Sequence, residues 1–319
     1  MYLKLRIFLG LTINFIIDYF FYIKESGIFN ENRKEKLLAK ITYNYHSIEK
    51  GLSMPSLKLG FGKKKIEKLK KFIKTYLDKD YDVLSSQFIA GCSVLAKYFE
   101  IHKKNTFEVE DFFNFEEYRL MKSYSKDTIG GTIKIFKTEY FSKVTNSFNE
   151  FVTSRHSIRY FSEELIEIEK IKDAVELANF CPSACNRQSC KVYSVGDKSK
   201  VELILNIQKG VDSTAKLIHQ LLIITSNRNN FFTSGERNQL YVDGGIFLES
   251  LLLSLHYKKI AACPLHWSLN YSHDKKIKNL IGLSSGEKVI ALIAIGSLKD
   301  DLKVPSSCRK QIDEFFVEV

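Results

Sequence analysis

The residues best suited to chemistry stand in three short clusters of a 319-residue chain. The first is Ser154-Arg155-His156-Ser157-Ile158-Arg159-Tyr160-Phe161. Two arginines four apart with a serine between them can clamp an anion, because guanidinium groups form paired hydrogen bonds to phosphate and the hydroxyl adds another. The same run also reads as an ordinary helix end. The second cluster is Cys181-Pro182-Ser183-Ala184-Cys185-Asn186-Arg187-Gln188. Its proline stops a helix, its small residues let a flat ligand approach the backbone, and Asn186 and Gln188 carry donors and acceptors for a heterocycle edge. An ordinary polar connection is the alternative. The third is Ala261-Ala262-Cys263-Pro264-Leu265, followed by His266 and Trp267. It reads as a strand end against a ligand, or as a core strand with its exit turn.

Other chemistries are excluded. No P-loop and no Rossmann glycine fingerprint occurs, nor H-E-x-x-H, nor G-x-S-x-G. The six cysteines form no C-x-x-C pair and lack histidine companions at zinc-like spacing, so no metal set is expected. They read as reduced, packed thiols in a cytoplasmic setting. His46 and Glu49, one helical turn apart, read as a structural pair, with metal binding or proton transfer as the lesser alternative.

The elements that must position these clusters follow from periodicity. Residues 31–50, 63–79 and 83–101 read as helices, with breaks at Gly51–Pro55 and Gly60-Phe61-Gly62. Residues 105–128 are acidic and aromatic. After about residue 150 helices alternate with apolar strands. Ile168–Ala178 is a helical stripe, and a helix over Lys200–Gln208 is closed by Gly210. Tyr241–Tyr257 and Asp274–Ile281 also read as helices. Val192–Val195, Leu221–Thr225, Ile260–Leu265 and Val289–Ile295 read as strands. This rhythm indicates an α/β or α+β domain. The expected division is a mostly helical region over 1–150 and a second domain over 151–319.

The composition is that of a folded chain: 45% hydrophobic and 27% charged. The net charge of +11 resides mainly in residues 1–150, which hold 26 basic and 18 acidic side chains. Such a field suits an anionic ligand, a membrane surface or nucleic acid, or is simply a solvated lysine-rich surface. The apolar run Ile7–Ile17 is too short to cross a bilayer. Asp18 and bulky aromatics follow where a signal peptide needs small residues. A docking helix is the first reading, peripheral membrane contact through the N-terminus the second.

Together and in this order, the clusters resemble the nitroreductase family of FMN-dependent oxidoreductases. Arg155-His156-Ser157-Ile158-Arg159-Tyr160-Phe161 is similar to its opening R-[RH]-S-x-[RK]-x-F, and Pro182–Gln188 to its P-S-x-x-N-x-Q. Asp243-Gly244-Gly245, the segment Ile260–Leu265, the strand Val289–Gly296 and Arg309-Lys310 follow in the family's order. The resemblance covers residues 150–319. It implies an α+β fold, a central, mainly antiparallel sheet wrapped by helices, here with a helical N-terminal extension. It implies a homodimer with FMN at the subunit interface. It also implies hydride transfer from NADH or NADPH through flavin N5 to a small-molecule substrate, by a ping-pong mechanism, with no nucleic-acid partner and no dedicated catalytic side chain. Arg155 and Ser157 would hold the phosphate beside His156, with Arg309 as a second phosphate ligand. Arg159 would lie near N1 and the C2 carbonyl, where a fixed cation favours the reduced flavin. Pro182, Ser183, Asn186 and Gln188 would frame the ring, and Cys263, Pro264 and Leu265 would lie near N5. Ser189-Cys190 in place of the family's Pro-Trp, and Lys258-Lys259 in place of its glycine, argue against routine nitroaromatic reduction. A specialised flavoenzyme acting on a biosynthetic intermediate is an alternative. A basic membrane- or nucleic-acid-binding protein with a vestigial pocket is another.

Overall fold

The computed structural model describes residues 2–25, 33–211 and 214–319. They divide into two compact units, one holding residues 17–135 and 302–319, the other residues up to 16 and 136–301. Helix α1 (Tyr2–Glu25) contributes to both.

In the first unit, α2 (Lys34–Leu52), α3 (Lys63–Asp78), α4 (Ser86–Lys104) and α5 (Phe115–Tyr124) precede strand β1 (Thr132–Phe136). The expected helix over 31–50 thus begins at Lys34, residues 31 and 32 lying outside the described residues. α2 buries Leu37, Ile41, Tyr45, Ile48 and Leu52, and α3 buries Ile66, Leu69, Ile73 and Tyr76, each a helical stripe. α4 has no charged residue before Lys97 and is buried almost all round, so it forms the centre of this bundle. The two glycine motifs interlock. A Cβ on Gly51 would fall 2.0 Å from the Phe61 ring. The Tyr98 hydroxyl donates to the Phe61 carbonyl at 2.7 Å, and the Gly60 N–H donates to His102 Nε2 at 2.9 Å. Glu49 is fully buried, accepts the Gly131 N–H at 3.0 Å and lies 3.2 Å from His46 Nδ1.

The second unit begins with α6 (Lys137–Tyr140) and α7 (Phe148–Ser154), neither anticipated from periodicity. It continues with α8 (Ile168–Ala178), β2 (Cys190–Val195), α9 (Lys198–Gln208), β3 (Gln220–Asn227), α10 (Gln239–Tyr257), β4 (Ala261–His266), α11 (Tyr271–Ile281) and β5 (Glu287–Gly296). The four strands form one antiparallel sheet in the order β2-β3-β5-β4. Pro264 is tolerated because β4 is an edge strand. One sheet face carries Leu222, Ile224, Ile293 and Ile295 against α8 and α10. Gly244 lets α10 lie close to β5, since a Cβ there would meet Ile290 at 2.7 Å. The architecture is α+β, an antiparallel sheet wrapped by helices, with the N-terminal helices present.

Two expectations are corrected. α9 ends at Lys209, which takes the left-handed conformation itself (φ 56°), so Gly210 is not the cap. The compact units also do not divide at residue 150. The last strand, β6 (Asp301–Pro305), pairs with β1, and residues 302–319 cluster with the helices. Pairing between strands so distant in sequence leaves no local periodic signature.

Candidate functional site

The first cluster follows directly from α7. The Ile158 N–H donates to the Ala262 carbonyl at 3.0 Å, which brings the Arg155–Arg159 segment alongside β4 and its Cys263-Pro264-Leu265. The first and third sequence clusters are thus neighbours. Tyr140 anchors the segment. Its hydroxyl accepts the His156 N–H at 3.0 Å and donates to the His156 carbonyl at 3.1 Å. Arg159 Nη1 donates to the Ser157 carbonyl at 3.2 Å. Arg155 is half-buried, and its Nη1 is buried with no hydrogen-bond partner among the described residues. A guanidinium nitrogen withheld from water and left unpaired is costly.

Periodicity gave no reason to single out His256. It sits in the last turn of α10, fully buried, with Nε2 2.9 Å from Ser154 Oγ. Phe151 stacks on its ring and Tyr140 meets it edge-on. Burial, then the neighbouring charges of Arg155 and His156, pull its pKa down to about 4, so the imidazole is neutral at neutral pH. The sign is that of a depressed histidine. As pH falls below about 6.5 the unfolded chain takes up a proton that the folded chain refuses. Stability therefore drops by about 2 kcal/mol between pH 7 and pH 5 from this group alone. Urea unfolding at the two pH values should show this loss, and His256→Gln should remove most of it.

The second cluster is held by different partners. The Ala184 N–H donates to both carboxylate oxygens of Asp243, at 3.2 and 3.3 Å, and Gln239 donates to the same carboxylate at 2.8 Å. Arg187 pairs with Glu236 and donates to the Asn230 carbonyl at 2.9 Å, with its guanidinium over Phe231 and Phe232. The Arg187 hydrogen bond, then the backbone N–H of Phe232, hold the Glu236 carboxyl at about 2. Cys185, Asn186 and Gln188 all have positive φ (50°, 55° and 47°). Three non-glycine residues in the left-handed region within four positions store strain, which persists only where the surroundings enforce it. Gln188 Nε2 donates to Asn186 Oδ1 at 3.1 Å, and the Gln188 N–H to Ser183 Oγ at 3.1 Å; Pro182 is exposed beside them. Lys259, where the family's glycine was missing, takes a left-handed φ of 55°, the conformation a glycine adopts without strain.

Helix α10 sets the distance between these sites. Asp243 in its first turns holds the Ala184 loop, and His256 at its end touches Ser154, so the two anchors are about 20 Å apart along the axis. The structure joins the Arg155–Arg159 segment to Ala262, the residue before Cys263-Pro264-Leu265, by the backbone hydrogen bond of Ile158. It keeps Pro182, Ser183, Asn186 and Gln188 at the other end of α10. Arg309 belongs to the helical unit, where it lines an open cavity of about 880 Å³ with Lys34, Tyr43 and Gln87.

Residues 152–236 match the family model described as nitroreductase family. An iodotyrosine deiodinase from Hydra vulgaris is 21% identical over 211 residues, covering 57% of this chain and 76% of its own length. The human iodotyrosine deiodinase 1 is 21% identical over 209 residues, covering 56% of this chain and 70% of its own. A solved FMN-dependent nitroreductase from Clostridium difficile aligns with a TM-score of 0.42 at 21% identity, over 47% of this chain and 86% of that one.

Proposed function

We propose, starting from the nitroreductase-family segment at residues 152–236, that this chain is an FMN-dependent oxidoreductase acting as a homodimer. The observation that carries the reading is the buried, unpaired Arg155 Nη1 within the family's opening motif. That donor, Ser157 and the neutral His256 beside them suit a phosphate monoester. Arg155 supplies the charge, Ser157 a hydroxyl, and His256 holds Ser154 in place without adding a competing cation. When bound, FMN supplies hydride exchange at N5, alternately with a reduced nicotinamide and with an oxidised substrate in ping-pong order. Arg159 offers a fixed cation to the ring's electron-rich edge, and Cys263-Pro264-Leu265 form the wall that excludes water on one side.

The span of α10 supports the dimer reading. The anchors of the ring-framing loop and of the phosphate clamp are about 20 Å apart along α10, and in this reading a two-fold mate brings its loop toward each clamp. α10 has the surface for it: Tyr241, Val242, Gly245 and Ile246 form an exposed apolar stripe. A single chain that leaves such a stripe in water calls for a partner.

Purification without added cofactor, followed by a visible spectrum and stopped-flow reduction, tests the reading. The expected result is a yellow protein bleached by NADH or NADPH and reoxidised by an added acceptor. Iodotyrosine is the first acceptor to try, given the names of the relatives, with a nitroaromatic beside it. Colourless protein that refuses FMN overturns the proposal.

A further inference from the structure

Helix α1 faces the wrong way for a water-soluble surface. The residues turned toward the protein are Ile7, Gly10, Leu11, Asn14 and Asp18, one helical stripe that includes the only acidic side chain between Lys4 and Phe20. Gly10 on this stripe lies close to Ser234, whose Oγ would be 3.4 Å from an added Cβ. The side turned to solvent is the apolar one. Nine large hydrophobic side chains there, among them Phe8, Leu9, Ile13, Phe15, Tyr19 and Phe20, are each 44–64% exposed. At helical spacing they cover an arc of roughly 200°. Among the described side chains Thr12 alone of the polar residues interrupts it, Lys4 stands at one margin and Arg6 at the other. Tyr19 and Phe20 close the C-terminal end.

We propose that α1 lies in the surface of an anionic membrane, its outer arc immersed at the boundary between headgroups and acyl chains. Two features favour lipid over a second copy of the chain. A packed helix covers a stripe of about 100°, whereas a fluid interface wets the whole of a much wider arc. Cations on both margins, with no acid on the arc among the described side chains, complement anionic headgroups and can extend along the interface to reach them. No helix among the described residues is long and apolar enough to cross a membrane, so this contact is peripheral. The proposal does not rest on the flavin reading.

Cosedimentation of the full chain with phospholipid vesicles tests it. The chain is expected to pellet with vesicles of equimolar phosphatidylserine and phosphatidylcholine, less with phosphatidylcholine alone, and less as salt rises. The triple variant Phe8→Ser, Ile13→Ser, Phe20→Ser should bind at least about a hundredfold more weakly. Because these side chains are exposed, its circular dichroism and flavin retention should match the parent. If the parent chain stays in the supernatant with both vesicles at low salt, the proposal fails whatever the variant does. It fails also if the variant binds like the parent. If instead the variant changes the oligomeric mass without lipid, the arc is a contact between copies and the membrane assignment is withdrawn.

Discussion

Arg155→Ala, combined with Ser157→Ala, is expected to weaken FMN retention at least tenfold while leaving the apoprotein no less stable. Each hydrogen bond to a charged group contributes about 1.5–3 kcal/mol, so losing the clamp's cation and hydroxyl together exceeds one decade. The apoprotein behaves differently because Arg155 Nη1 has no partner to lose there. Deleting a buried, unpaired guanidinium nitrogen removes a cost rather than a contact. It also lifts a positive charge from His256, whose basicity should partly recover. Equilibrium titration of FMN into apoprotein, with thermal unfolding of the same sample, measures both quantities. Unchanged FMN affinity would remove Arg155 from the phosphate site. A marked fall in apoprotein stability would show that it is a structural cation instead.

The second expectation concerns the outer face of α10. Val242→Glu with Ile246→Glu places two charges on adjacent turns of the exposed stripe. Within one chain both positions meet solvent, so each substitution should alter folding stability by no more than about 0.5 kcal/mol. In a dimer that buries this stripe the carboxylates would be desolvated without partners, which is prohibitive. The expected outcome is a monomer that folds normally and binds FMN at least about a hundredfold more weakly, because the partner's loop is gone. Light scattering gives the mass and fluorescence the FMN affinity. A variant that stays dimeric and yellow would sever the link between α10 and the flavin site.

The local elements around the site were legible because each depends on neighbours in sequence. The α8 stripe, the apolar β3 and β5, and the loop opened by Pro182 announce themselves by spacing and by residue type. Left-handed caps were less legible. Lys209 and Lys259 occupy conformations that glycine favours, and nothing in a lysine side chain signals this. The role of His256 was invisible for another reason. A histidine ending an apolar helix looks like a core or surface residue until Ser154, 102 positions away, is seen against it.

Read by itself, the amino-acid order determined which side chains carry the charges and hydrogen-bonding groups of the proposed site, and which stretches are helix or strand. Those properties are carried by residue chemistry and by periods of a few positions. Only the tertiary structure decided that the first and third clusters touch, that the second lies at the far end of α10, and that the Arg309 segment joins the helical unit. Such distances are set by sheet register and helix length acting across a hundred residues or more. Short-range pattern holds no record of them.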